Sequence, residues 1–147
     1  MRISAKGRYA IASMITLTKY QTDQPITVAS ISNKLNISKI YLEQIFSLLK
    51  HSRLVTSSKG AQGGYQLAKP SSDISVLDIL SATELTLLEK METTMEAEYL
   101  PLEKVMQTHI FDPLDQAVAA MLSSVRLDQL ADELTAANET GNYMFFI

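Results

Sequence analysis

The stretch Ser38-Lys39-Ile40-Tyr41-Leu42-Glu43-Gln44-Ile45-Phe46-Ser47-Leu48-Leu49-Lys50 decides the fold. Leu42, Ile45, Phe46 and Leu49 fall at helical spacing and make one apolar stripe. Ser38 stands just before the stripe, where a hydroxyl accepts from free N–H groups of a first turn, so it reads as an N-cap. The opposite face carries Lys39, Glu43, Gln44, Ser47 and Lys50. Residues 28–35 predict a short helix immediately upstream, separated only by Asn36-Ile37. Two short helices on a tight turn, the second with a polar face, are the sequence form of a helix-turn-helix. Two core helices with a solvated face would show the same stripe, so the flanking sequence has to separate the readings.

Downstream, Leu54-Val55-Thr56-Ser57-Ser58 and Tyr65-Gln66-Leu67-Ala68 flank Lys59-Gly60-Ala61-Gln62-Gly63-Gly64, which predicts a β-hairpin. The glycines lack the Lys-Ser/Thr ending and the strand-to-helix setting of a nucleotide-binding P-loop. A hairpin directly after a helix-turn-helix is better read as a wing lying on DNA. Upstream, residues 8–20 predict a helix with a wide apolar surface, ended by the turn at Pro25. Ser75 begins another short helix. An acidic stretch follows, read as a partly helical connector. From His109 to Ser123, Ile110, Phe111, Leu114, Ala117, Val118, Met121 and Leu122 keep helical spacing, and Pro113 suits a first turn. That stripe is too apolar to stand alone and predicts a partner helix. A shorter helix is expected over residues 127–134, then a loose polar segment over 136–141, then an apolar tail, Tyr143-Met144-Phe145-Phe146-Ile147. The expected fold is mainly α, a winged helix-turn-helix with a small hairpin and a long dimerisation helix. The expected division is 1–82 for DNA binding, 83–108 for the connector, 109–136 for dimerisation and 137–147 for the tail.

The 147 residues are 46% hydrophobic, enough for a packed core. No apolar run is long enough to span a membrane, and no export signal is visible, which favours the cytoplasm. There is no cysteine, so disulfides and thiolate-held metals or clusters are excluded. With only His51 and His109 as histidines, no nucleophile–base pair suggests an enzyme. Residues 1–70 hold ten Lys/Arg against Asp23 and Glu43, a net of +8; residues 71–147 hold three against fourteen acidic residues, a net of −11. A basic half joined to an acidic half points to one polyanion-binding module and one with another task.

Several motifs recur in order: Ile37-Ser38, Tyr41-Leu42-Glu43-Gln44, Leu49, Leu54-Val55, Lys59-Gly60, Gly63-Gly64-Tyr65 with Leu67, and the opening Met1-Arg2-Ile3-Ser4-Ala5-Lys6-Gly7-Arg8-Tyr9-Ala10. Together they resemble the winged helix-turn-helix regulators that include IscR, NsrR and CymR. The resemblance implies a homodimer on double-stranded DNA, residues 38–50 as the reading helix and residues 59–65 as the wing. Lysine stands at position 59 where the family's wing usually has arginine, so the planar fork is lost. Many members hold an iron–sulfur cluster through three cysteines and a histidine. His109 matches the histidine, but Thr94, Leu100 and Met106 occupy the cysteine positions, so no metal or cofactor is expected. The cluster-free CymR branch is the nearer likeness. It implies repression of cysteine and sulfur metabolism genes with cysteine synthase as partner.

On this reading Ser38, Tyr41, Glu43 and Gln44 approach base edges. Lys39, Lys50, Arg53 and Lys59, with Gly60, Gly63 and Gly64 in the wing, lie against the backbone. Phe111, Leu114, Val118, Met121 and Leu122 form the dimer seam. Tyr143, Met144, Phe145, Phe146 and Ile147 either dock a partner or fold back on the protein itself. The rival readings are a cluster-free regulator answering another ligand or stress signal, and a protein-interaction adaptor that has lost DNA binding. Salt-dependent binding to duplex DNA separates the adaptor from both.

Overall fold

A computed structural model describes the chain except for Met1, Gln62, Met91, Thr93, Phe146 and Ile147, and except for the side chains of residues 142–145. It is mainly helical with one two-stranded antiparallel sheet, as expected. Helix α1 (Ala5–Lys19) starts at Ser4, whose Oγ accepts from the Gly7 N–H at 3.2 Å. Helices α2 (Val28–Leu35) and α3 (Lys39–His51) follow, capped by Thr27 and Ser38. Strands β1 (Val55–Ser58) and β2 (Gly64–Leu67) pair with Val55 opposite Leu67 and Ser58 opposite Gly64. Helix α4 (Val76–Thr83) opens on a capping box in which Ser75 and Asp78 satisfy each other's backbone N–H.

One core serves all of these elements. Met14 and Leu17 of α1, Ile31 of α2, Leu42, Ile45, Phe46 and Leu49 of α3, and Ile79 of α4 are buried in it. The four α3 residues are those of the apolar stripe, because a 3–4 spacing leaves one face of a helix to bury. The hairpin is tied in by Tyr65. Its backbone exchanges two hydrogen bonds with Ile26 (2.8 and 2.9 Å), and its ring lies 4.7 Å from that of Phe46. Gly64 permits this approach: a Cβ there would sit 2.4 Å from the Ile26 carbonyl oxygen.

Beyond α4 the structure departs from the sequence reading in three places. First, Glu84 does not merely open the connector. Its Oε1 accepts from the Ser4 N–H at 2.8 Å and from the Ser4 hydroxyl, fastening the connector to the start of α1. Second, the long helix begins before His109. Helix α5 (Leu100–Met106) runs through a π turn (Gln107–Phe111) into α6 (Asp112–Ser124). Pro113 explains the π turn. An α-helical path would press its ring on the carbonyl of residue 109 and leave that acceptor empty. One extra residue relieves this, and the Asp112 N–H reaches back to the Gln107 carbonyl.

Third, helix α7 (Leu127–Phe145) does not stop near Leu134 or loosen over 136–141. Glycine at 141 costs about 1 kcal/mol inside a helix, yet no proline interrupts the segment, and Ala136, Ala137 and Glu139 favour it. Thr135 and Thr140 turn their hydroxyls onto the carbonyls of Ala131 and Ala136 rather than breaking the helix. The first turns of α7 also belong to the core shared with the DNA-binding half. Leu127 and Ala131 are buried, α7 packs on α1, and the α6–α7 turn is stitched to residues 74–76 by two backbone hydrogen bonds of 2.9 Å.

Candidate nucleic-acid interface

The turn between α2 and α3 sets the angle of the exposed helix. Asn36 takes the left-handed conformation (φ 53°, ψ 45°), which its short polar side chain tolerates. Ser32 locks the turn: its hydroxyl donates to the Ile37 carbonyl at 2.6 Å, and its carbonyl accepts from the Ile37 N–H. With Leu42, Ile45, Phe46 and Leu49 buried, α3 turns Lys39, Ile40, Glu43, Gln44, Ser47 and Lys50 to solvent. Glu43, Gln44 and Ser47 line a shallow groove with Ile40, Leu48 and Lys6, the last reaching over from α1.

The expected DNA-facing residues are not equivalent. Lys39 and Glu43 form an exposed ion pair at 3.9 Å, one helical turn apart. Such a pair contributes a few tenths of a kcal/mol, so a phosphate can displace the carboxylate from Lys39 with little loss. Ser38 Oγ accepts from the Tyr41 N–H at 3.4 Å, which leaves its proton and one lone pair free for a further partner. Tyr41 is half-buried, its ring edge-on to Tyr9 at 5.7 Å, so it builds the shoulder of the face. In the wing, Lys59 and Gly60 are exposed, and Gly60 holds the turn at φ 104°. Gly63 and Gly64 are half-buried and face backbone oxygens closely, a packing role. The sequence reading missed three residues of the groove, Lys6, Ile40 and Leu48. Ile40 was legible as an apolar residue out of phase with the buried stripe but in phase with Gln44 and Ser47.

Helix α3 ends in a Schellman turn. The Leu54 N–H donates to the Leu49 carbonyl at 3.0 Å, and the Arg53 N–H to the Lys50 carbonyl at 2.9 Å. Glycine usually occupies the left-handed position of this turn, but Arg53 sits there at φ 60°. A side chain in this conformation costs about 1 kcal/mol.

The model of a family described as Rrf2, iron-dependent transcriptional regulators, matches residues 3–133. The chain belongs to the Rrf2 family. It is thus a transcriptional regulator of the IscR/CymR kind rather than an enzyme. CymR of Bacillus subtilis (strain 168) is 34% identical over 147 residues, all of both chains. IscR of Photorhabdus laumondii is 32% identical over 144 residues, 96% of this chain and 85% of that one. With several other curated relatives the match spans about half their length, as with a putative HTH-type regulator of Azotobacter vinelandii, 42% identical over 82 residues and 50% of that protein. The solved structure of CymR, described as the global cysteine regulator of B. subtilis, superposes with a TM-score of 0.73 at 32% identity, covering 90% of this chain and 98% of that one. T. potens IscR gives 0.64 at 31% identity, covering 95% and 90%.

The iron in the family's description does not fit this donor set. The chain has no cysteine and therefore no thiolate to offer. Among the described residues no three His, Cys, Asp or Glu side chains are grouped to hold a metal ion. Nor is any described helix long and apolar enough to cross a membrane.

Replacing Arg53 by glycine separates its backbone strain from the phosphate contact expected of its side chain. Arg53→Gly should raise the unfolding free energy by up to about 1 kcal/mol through relief of the left-handed strain. It should also weaken binding to all duplexes and lower the salt slope by about one unit, the loss of one phosphate contact. Chemical denaturation and fluorescence anisotropy read the two effects. A destabilised variant with full DNA affinity would make Arg53 purely structural.

Proposed function

We propose that the chain is a homodimeric, sequence-specific DNA-binding repressor whose reading element is α3. The exposed face Lys39, Glu43, Gln44 and Lys50, set on a buried apolar stripe inside the +8 half, carries this reading. Gln44 suits bidentate pairing with adenine, and Glu43 accepts from cytosine N4 or penalises sequences that leave it unpaired. Ser38 donates, and Lys39, Lys50, Arg53 and Lys59 hold phosphates. Work on the chromosome would take place in the cytoplasm.

The second copy would sit on the α5–α6 helix. Helix α6 already packs on α4, and Phe111, Val118 and Leu122 are half-buried. Leu114 and Met121 remain 54% and 60% exposed, and so does Ile110 at 54%. The π turn extends this seam. Val105 and Ile110 would stand about 140° apart on an uninterrupted α-helix, and the inserted residue brings them to about 40°. An apolar strip on that scale, exposed on a lone chain, marks an association surface.

The regulated genes are those of cysteine and sulfur metabolism, and cysteine synthase is the partner. The likeness over the whole chain to B. subtilis CymR, described as the global cysteine regulator, supports the choice of genes, while the choice of partner rests on the resemblance to the CymR branch alone. Tyr143, Met144 and Phe145 would dock the enzyme together with Phe146 and Ile147. The backbone of the first three closes α7, while their side chains and the last two residues lie outside the described residues.

Three experiments test this. Gln44→Ala should lower discrimination among operators by about 1–3 kcal/mol, while Lys39→Ala should weaken specific and scrambled duplexes alike. Identical behaviour of both variants on both duplexes means that α3 is not the reading helix. Leu114→Glu places a charge in the dimer seam and should cost several kcal/mol of association. Sedimentation velocity should then show monomers where the unaltered protein shows dimers; an unaltered protein that is monomeric at micromolar concentration contradicts the seam. Removal of Phe146 and Ile147 should abolish co-purification with cysteine synthase and leave the melting temperature unchanged. A lower melting temperature with no complex lost assigns the tail to the protein's own interface.

A further inference from the structure

Ile40 is the residue of α3 that neither stability nor phosphate binding explains. It is 70% exposed, the most exposed large apolar side chain among the described residues up to 83. Single exposed aliphatic residues are common and usually mean nothing. Its place on the helix distinguishes this one. Ile40 lies in the first turn of α3, three residues before Glu43, four before Gln44 and seven before Ser47, so it shares their face. It lines the same groove as these three and Lys6. In a helix-turn-helix, the N-terminal residues of the second helix meet base edges. An aliphatic side chain there has no hydrogen bond to give. The one apolar feature that the major groove presents is the C5 methyl group of thymine.

We infer that Ile40 is a specificity-determining residue that packs on a thymine methyl group in each half-site. The inference rests on the proposed DNA-reading role of α3 and deepens it. Ile40 and Gln44 are four residues apart, about 6 Å along the helix. With base steps of about 3.4 Å, the thymine lies within about three base pairs of the adenine paired to Gln44. The pair therefore favours A·T steps. Cytosine in place of thymine loses the methyl contact and sets its N4 amino group against an aliphatic surface that cannot accept a hydrogen bond.

The test uses the full-length dimer and a duplex enriched by selection from random DNA. Each thymine is replaced in turn by deoxyuridine, which keeps the pairing and removes only the methyl group. Binding should fall about four-fold for each buried methyl, at one thymine per half-site. Ile40→Ala should bind the parent duplex more weakly and be indifferent to deoxyuridine at that position. Ile40→Val should keep part of the dependence. Circular dichroism and melting should match the unaltered protein, since the side chain is mostly solvated. If the unaltered protein ignores every deoxyuridine, or Ile40→Ala keeps the same dependence, the inference falls while the DNA reading stands. If selection enriches no sequence at all, the DNA reading fails and takes the inference with it.

Discussion

The contact between Phe46 and Tyr65 is the point on which the DNA-binding half depends. Phe46 is fully buried beneath α3, and the Tyr65 ring lies 4.7 Å from it, tilted by 33°. Tyr65 is held in turn by the backbone of Ile26, which only a glycine at 64 lets so close. One aromatic pair thus fixes α3, the hairpin and the segment before α2 relative to one another. Position matters more than affinity in such a module, because base readout fails when a side chain is displaced by a fraction of a base step. Truncating a buried phenylalanine costs about 3–5 kcal/mol, a large share of the stability of a small domain.

Charge divides the labour that packing joins. In the basic half, Lys39, Lys50, Arg53 and Lys59 lie on α3, just past its end and in the hairpin turn, while the acidic half carries α4, α5, α6 and α7. Like-charge repulsion keeps the acidic helices off phosphates within a Debye length, which biases how the protein approaches DNA. The halves are nevertheless not separate bodies. Glu84 holds the start of α1, and the backbone bonds between 74–76 and 125–127 bind the α6–α7 turn to the core. Helix α6 packs on α4, and α4 packs on both α1 and α3, so the two halves share one set of contacts.

The helix-turn-helix and the wing were legible because their signals are local. The spacing of Leu42, Ile45, Phe46 and Leu49 names its own buried face, and the glycines between two β-rich runs name their own turn. The start of α5 was not legible, since residues 84–99 mix acidic and apolar residues without a helical period. The π turn was hidden because Pro113 fits a helix start as well as an interior relieved by one extra residue. The length of α7 was hidden because weak helix formers and Gly141 are outvoted only by their neighbours' summed propensity. At the interface, the cations and Gln44 announced themselves by type. Tyr41, Gly63 and Gly64 carry the motif yet serve packing first, and Ile40 was missed because aliphatic residues are counted as core by default.

Two copies of α3 reading DNA from one dimer is the proposal on which the functional reading turns. Its most direct measurement is a nuclease footprint of the purified protein on genomic fragments retained in excess non-specific competitor. A dimer of this kind should give paired protected half-sites related by two-fold symmetry, with centres one helical turn of DNA apart or a multiple of it, about 10 base pairs per turn. Protection of isolated single half-sites would contradict the dimer, and uniform cleavage with no protected sequence would contradict the reading helix itself.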